Sequence, residues 1–164
     1  MIATFLWYER GAHEAAKRYV KLLKGEIVAR DAITTTFELG GSRFIAFDGG
    51  PHFKLSEAAS IMVTCKTQKE IDRLWTALVR GGKPSQCGWL VDRWGMWWQI
   101  IPEELPALIR DPRGMQAMLK MSKIDLAALR AAVTPPRSPG GGTRQPSRAP
   151  SRGRRPRASR RGRP

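Results

Sequence analysis

Residues 92–102 read DRWGMWWQIIP, and the way this stretch folds decides how the rest of the chain is arranged. Asp92, Arg93, Trp94 and Gly95 have turn chemistry, with Gly95 free to take the positive φ that short hairpin loops require. The residues from Met96 to Ile101 are aromatic or bulky and suit a strand, which Pro102 brings to an end because it cannot extend a ladder. Side chains alternate along a strand, so Trp97, Gln99 and Ile101 fall on one face, and Trp98 and Ile100 on the other. A single amide among tryptophans and isoleucines is unusual. If its face is covered, Gln99 needs a neighbour, a water or a ligand to satisfy it.

Working backward from this hairpin, 86–91 supplies its first strand, and 83–85 has room only for a short edge. Ser60–Cys65 (SIMVTC) is a strand, followed by a helix that Thr67 and Glu70 open as a capping box. Ile71, Leu74, Trp75 and Leu78 form the buried face of that helix, and Gly81-Gly82 stops it. The same order occurs earlier in the chain. Residues 2–8 are a strand, and Ala12–Leu23 is a helix with Ala12, Ala15, Ala16, Tyr19, Val20 and Leu23 on one stripe and Gly25 at its stop. Glu26–Arg30 is a short strand, and Thr34–Leu39 and 43–48 flank the hairpin signal Gly40-Gly41. Strand, helix and three strands thus occur twice, offset by roughly 55–58 positions.

Residues 103–132 carry helical segments. One is interrupted by Pro106, one holds Met115, Met118 and Met121, and one opens on Ser122 and Asp125. The methionines suit packing against the domain or a second subunit. The formal charge of +15 is concentrated at the C-terminal end, because ten arginines lie in 134–164 with no lysine and no acid, leaving +5 for the rest. Residues 133–164, rich in Arg, Pro, Gly and Ser, cannot bury enough apolar surface to fold and are expected to be disordered. No apolar run approaches the ~20 residues of a membrane span, and the first eight residues lack the basic start of a signal peptide. Cys65 and Cys87 form no disulfide framework, which points to reduced thiols and a cytoplasmic setting.

Several motifs together resemble the PhnB-like branch of the vicinal oxygen chelate (glyoxalase, bleomycin resistance, dihydroxybiphenyl dioxygenase) superfamily. They are TFLWY, EAAKRYV, RFIAFDGGPHFKLSEA, QCGWLVDRWG and MQAMLKMSKIDLAAL. Members of that branch are often labelled 3-demethylubiquinone-9 3-methyltransferase-like. The resemblance implies an α+β fold of paired βαβββ modules, about 2–50 and 59–102, forming a cupped mixed sheet with helices on its convex side. It covers 1–132, also implies a homodimer, and leaves the tail outside. One departure is a shorter link before the Thr34 strand than the branch usually has.

The resemblance also places the superfamily's metal-ligand positions near Ala3, Ala46, Ser60 and Gln99. Alanine has no donor atom, serine is a poor ligand, and a catalytic metal needs about three His or carboxylate ligands. His13 beside Glu14 reads as a solvated helix position, and His52 as a rim or structural residue. No metal and no cofactor are therefore expected. Nor is there a Gly-rich loop ahead of a helix to hold S-adenosylmethionine. What the alternation does offer is an aromatic cup. Phe5 and Trp7 share the face of Ala3, Phe44 that of Ala46, and Trp97 flanks Gln99. A filled core between the modules would look the same in sequence. The expected ligand site is Trp7, Ser60, Cys87, Trp97 and Gln99. The expected function is metal-free binding of a small aromatic or apolar molecule. The alternative is an enzyme acting on a small aromatic or quinone-like substrate through Cys87 or a water. Cys65 reads as an inert core thiol, and Cys87 as either a buried or a pocket-lining one.

The tail has charge but no aromatic residue to stack on a base, so its affinity for nucleic acid should come from phosphate contacts alone. The full chain should bind single- and double-stranded DNA without sequence preference and release both as salt rises. A chain ending at Val133 should bind neither. Equal binding by the two chains at two salt concentrations would clear the tail of this role.

Overall fold

The computed structural model describes residues 2–135. Eight strands and five helices follow in chain order. The first module holds β1 (Thr4–Tyr8), α1 (Ala12–Leu23), β2 (Glu26–Arg30), β3 (Thr34–Leu39) and β4 (Ser42–Asp48). The second holds β5 (Ser60–Cys65), α2 (Gln68–Val79), β6 (Lys83–Pro84), β7 (Trp89–Val91) and β8 (Trp97–Pro102). Three short helices close the chain: α3 (Leu105–Leu108), α4 (Pro112–Leu119) and α5 (Leu126–Val133). Each module is a four-stranded mixed sheet, ordered β1-β4-β3-β2 in the first and β5-β8-β7-β6 in the second. In each, the first strand runs parallel to the last and the remaining pairs are antiparallel. The paired βαβββ pattern is therefore present in topology as well as in hydropathy. The expected disorder of the arginine-rich tail concerns residues outside those described, apart from Val133, which ends α5, and Thr134 and Pro135, which follow it.

The local reasons are largely those the residues suggest. Gly40 and Gly41 take φ of +55° and +80°, the two positive values that a tight two-residue hairpin needs. Thr67 Oγ1 accepts the Glu70 amide at 3.2 Å and so caps α2, while the Glu70 carboxylate reaches the Lys66 amide at 2.8 Å. Several ends differ from expectation. The left-handed residue ending α1 is Lys24, at φ +59°, and Gly25 is glycine for another reason: a Cβ there would lie 2.1 Å from the Glu38 carbonyl oxygen. α1 has no cap of its own, because Gly11 precedes it. Its first amide, Ala12, is taken instead by Asp48 Oδ1 of β4 at 2.7 Å. Pro106 opens α3 rather than interrupting a longer helix, since proline is tolerated in a first turn. Asp125 alone caps α5, while Ser122 bonds the Ser85 carbonyl.

The two modules share one core. Tyr19 of α1 touches Phe37 of the first sheet at 6.2 Å between ring centroids and Trp98 of the second at 4.8 Å. The two helices lie alongside each other. Arg18 donates to the Ala77 carbonyl at 3.2 Å, and Arg73 donates to the Leu22 carbonyl at 3.1 Å. The helix-bearing faces of both sheets thus point into common apolar packing, and the opposite faces point away from it. A smaller cluster of Ile101, Leu105, Ile124 and Leu129 seats the C-terminal helices on the end of the second sheet, with Met118 and Met121 packed against it.

Asp92 lies at the junction and is only 4% exposed. Its Oδ2 accepts from Tyr19 at 2.6 Å and from the Trp98 indole at 2.9 Å. Its Oδ1 accepts the Trp94 and Met96 amides at 2.9 and 3.1 Å. One carboxylate therefore forms the β7–β8 turn and binds the first module to the second. Burial pushes its pKa up, and the four donors pull it back only in part. Tyr8 is buried in the same region, with its hydroxyl unpartnered among the described residues.

Asp92→Ala would strand two side-chain and two backbone donors and should destabilise the protein by about 3–5 kcal/mol or prevent folding. Tyr19→Phe should cost about 1.5–3 kcal/mol, the range for a hydrogen bond to a charged group. Because the folded pKa of Asp92 lies above its unfolded value, its contribution is fullest below the unfolded value and is lost as pH rises through the folded one. The penalty of Asp92→Asn should accordingly shrink as pH rises above the carboxylate range. Urea melts of both proteins at acid and neutral pH measure it, and a penalty that grows with pH would contradict this account.

Candidate functional site

Side-chain alternation and strand register together define the outward face of each sheet. In the first, β1 and β4 pair Phe5 with Ile45 and Trp7 with Phe47, and these four share the outward side. Leu6, Tyr8, Phe44 and Ala46 lie on the core side and are buried. This corrects the sequence reading of Phe44 and Ala46 as cup residues. Phe44 stacks on Phe37 at 5.2 Å inside the core, and Ala46 is fully covered. The parity within β1 was right, but β4 was assigned to the wrong face.

Trp7 is held firmly. Its ring meets Phe47 edge-on at 4.9 Å and Phe53 of the crossing loop at 5.0 Å, and its indole N–H donates to the Gly50 carbonyl at 2.9 Å. Gly49 makes this possible, since a Cβ there would lie 2.2 Å from the indole. Phe5 and Phe53 remain 56% and 64% exposed, so this aromatic face is uncovered in a single chain.

On the second sheet, Ser60 and Met62 of β5 and Trp97 and Gln99 of β8 share the outward side. Gln99 Nε2 donates to Ser60 Oγ at 2.8 Å. The amide that needed a partner has one, and its carbonyl oxygen keeps no protein partner among the described residues. Cys87, Trp89 and Trp97, together with Glu57, Ser85 and Gln86, line a cavity of about 360 Å³ beside this pair. Cys87 is not on a strand, because β7 begins only at Trp89. It stands in a turn at φ +58°, a left-handed conformation unusual for a residue other than glycine. That turn is pinned from outside, by the Cys87 amide donating to Met121 and the Gly88 amide to Ser122, both at 2.7 Å. The structure thus brings Ser60, Gln99, Trp97 and Cys87 onto one face. Trp7 stands on the other sheet, where its ring and hydrogen-bond contacts come from β4 and the crossing loop.

Metal chemistry finds few ligands here. Among the described residues no group of three or more His, Cys, Asp or Glu side chains is placed to hold an ion. The outward positions of β4 are Ile45 and Phe47, which have no donor atoms. His52 is exposed, and His13 turns toward the buried Thr35, with Nδ1 3.3 Å from its Oγ1, rather than lying on a freely solvated face. The residues present do not fit a catalytic divalent metal. The two thiols also differ. Cys65 is 2% exposed, and burial, with Glu70 nearby, pushes its pKa up to about 11 against a smaller opposing effect of Arg73. Cys87 is only half-buried.

The residue that sequence reasoning missed is Asp92, which looked like an ordinary turn former. The available signal was the proximity of three tryptophans, Trp94, Trp97 and Trp98, and of two turn amides within six residues. What could not be read was Tyr19, 73 positions away.

Comparison with known proteins places these features in context. The family model for 3-demethylubiquinone-9 3-methyltransferase matches residues 1–101. A solved PhnB protein from Bacillus cereus, described as a candidate 3-demethylubiquinone-9 3-methyltransferase, is 30% identical with a TM-score of 0.56, over 61% of this chain and 98% of the other. Protein PA1353 from Pseudomonas aeruginosa is 21% identical with a TM-score of 0.54, over 62% and 97% of the two chains. A glyoxalase/bleomycin resistance protein from Albidiferax ferrireducens is 11% identical with a TM-score of 0.47, over 61% and 96%. No curated protein matches. Among the described residues no helix is long and apolar enough to cross a membrane.

Reactivity should separate the cysteines. A thiol reagent such as dithionitrobenzoate should modify one thiol per native chain and two in urea. Cys87→Ala should abolish the native reaction, whereas loss of that reaction in Cys65→Ala would reverse the assignment.

Proposed function

The chain belongs to the 3-demethylubiquinone-9 3-methyltransferase family, whose model spans residues 1–101, and from that premise we propose that it binds a small aromatic or apolar molecule without a metal. The observation that carries this reading is the second sheet's outward face. There, a cavity of about 360 Å³ lined by Trp89, Trp97 and Cys87 adjoins a single fixed amide–hydroxyl pair, Gln99 and Ser60, which the strand register sets next to the two tryptophans. Ligand sites combine apolar walls with a few placed polar groups in this way. Gln99 and Ser60 orient the ligand, Trp97 and Trp89 supply contact area, and Cys87 closes one end.

Trp7 belongs to the same site in a homodimer. The two outward faces point away from the shared core, so one chain cannot bring them together. A second copy can lay its first sheet over the second sheet of its partner and cover Phe5, Phe53 and Met62, each more than half exposed in a single chain. The free thiols accord with a cytoplasmic setting. The competing reading, supported by the family's description, is turnover of a quinone-like substrate at the same face.

Screening small aromatic molecules by thermal shift should find a ligand that raises Tm and quenches tryptophan emission, and Gln99→Leu should weaken it about tenfold, or 1.4 kcal/mol. Met62→Lys should yield monomers by light scattering and lose the same ligand. Full binding by the Met62→Lys monomer would remove the shared cup. Product formation that disappears in Cys87→Ala would favour the enzyme.

A further inference from the structure

On the opposite side of the molecule, where the two helices meet the β7–β8 turn, lies a cavity of about 250 Å³ that the cup does not use. Three arginines line it from three separate elements: Arg18 of α1, Arg80 at the end of α2, and Arg93 in the turn. The ion pairs found among the described residues involve Arg43, Arg113, Lys123 and Arg130, and none of these three. The one carboxylate in the wall is Asp92, and both of its oxygens are already taken by Tyr19, Trp98 and two backbone amides. Three positive charges therefore face one buried negative charge that has no acceptor capacity directed at them.

Structural duties explain only part of this arrangement. Arg18 donates to the Ala77 carbonyl and so satisfies the C-terminal end of α2, where a cation is favourable. That accounts for one of its N–H groups. Arg93 lies over the Trp94 ring, its guanidinium carbon 5.4 Å from the centroid, a cation–π contact that uses none of its donors. Gly81, at φ +82°, leaves room for it, since a Cβ there would lie 3.3 Å from that of Arg93. The Arg80 side chain has no hydrogen-bond partner among the described residues. The Trp94 indole N–H is likewise unpartnered there, and a second cavity shares Trp94 and Arg93 and adds Arg10 together with Glu9, one charge of each sign.

We propose that this recess binds a small phosphate-bearing molecule. Guanidinium forks match the oxygens of phosphate and carboxylate alike. Phosphate is favoured because a dianion with three free oxygens can engage forks arriving from three directions, whereas a carboxylate offers two oxygens and one charge. The volume is below the usual range for drug-sized ligands, which suits a phosphate group with a small substituent. The site is separate from the cup and stands whether or not the cup reading does.

The test uses the full chain and inorganic phosphate, followed through the Trp94 indole N–H resonance, which is assigned by its loss in Trp94→Phe. This readout is local, so phosphate gathered by the arginine-rich tail does not enter it. The resonance should shift saturably with phosphate and not with chloride or acetate at equal ionic strength. Arg80→Gln and Arg93→Gln should each weaken binding at least tenfold, and Arg80→Lys should recover part of it. Unchanged melting temperatures in these exposed variants would show that the fold is intact. A linear shift that any salt reproduces would mean an adventitious ion only and overturn the proposal. So would saturation indifferent to both glutamine variants. A shift caused by single-stranded DNA but not by phosphate would assign the surface to nucleic acid instead.

Discussion

The rest of the structure depends on how one buried carboxylate is neutralised. Asp92 accepts hydrogen bonds from Tyr19, Trp98 and the amides of Trp94 and Met96, all within 3.1 Å. An unpaired carboxylate in such a place would be very costly, so all the donors must be present together. Two of them exist only when the β7–β8 turn is formed, one when β8 is in register, and one when α1 of the other module has docked. A local turn and a long-range contact are thereby made conditional on each other. The two modules, alike in topology, are joined in one relative position.

That position determines where function can reside. Because Tyr19 contacts both sheets, the helix-bearing faces are used up in the core, and the aromatic outward faces are left apart. The first presents Trp7 and Phe47 braced by the crossing loop. The second presents the Gln99–Ser60 pair beside Cys87. A fold that filled this space with core would have left no such faces, and the exposure of Phe5, Phe53 and Met62 excludes that reading for a single chain. The junction also shapes its own far side. Arg93 lies in the turn that Asp92 organises and Arg18 on the helix that Tyr19 anchors, so the arginine-lined recess is a consequence of the same docking.

Glycine and turn chemistry show how local and distant causes mix. Gly40 and Gly41 are explained by the hairpin they form, a matter of two residues. Gly25 and Gly49 are explained by neighbours far off in sequence, the Glu38 carbonyl and the Trp7 ring. Lys24 and Cys87 take positive φ although neither is glycine, since surrounding hydrogen bonds hold the chain there. For Cys87 these come from the link between α4 and α5, which makes the pocket wall depend on residues more than thirty positions later.

By itself, the sequence determined the elements, their duplicated order, the capping of α2, the Gly40-Gly41 turn and the alternation within each strand. All of these rest on spacings of a few residues, which the chain carries locally. It also showed that two of the four expected ligand positions, Ala3 and Ala46, carry no donor atom, since that is a matter of residue type. Only the tertiary structure decided which face of β4 is buried, and so exchanged Phe44 and Ala46 for Ile45 and Phe47. Only the tertiary structure joined Asp92 to Tyr19, moved Cys87 off the strand and separated Trp7 from Gln99. The reason is physical: periodicity says which side chains share a face, but burial of that face depends on what packs against it, and those partners lie far away along the chain.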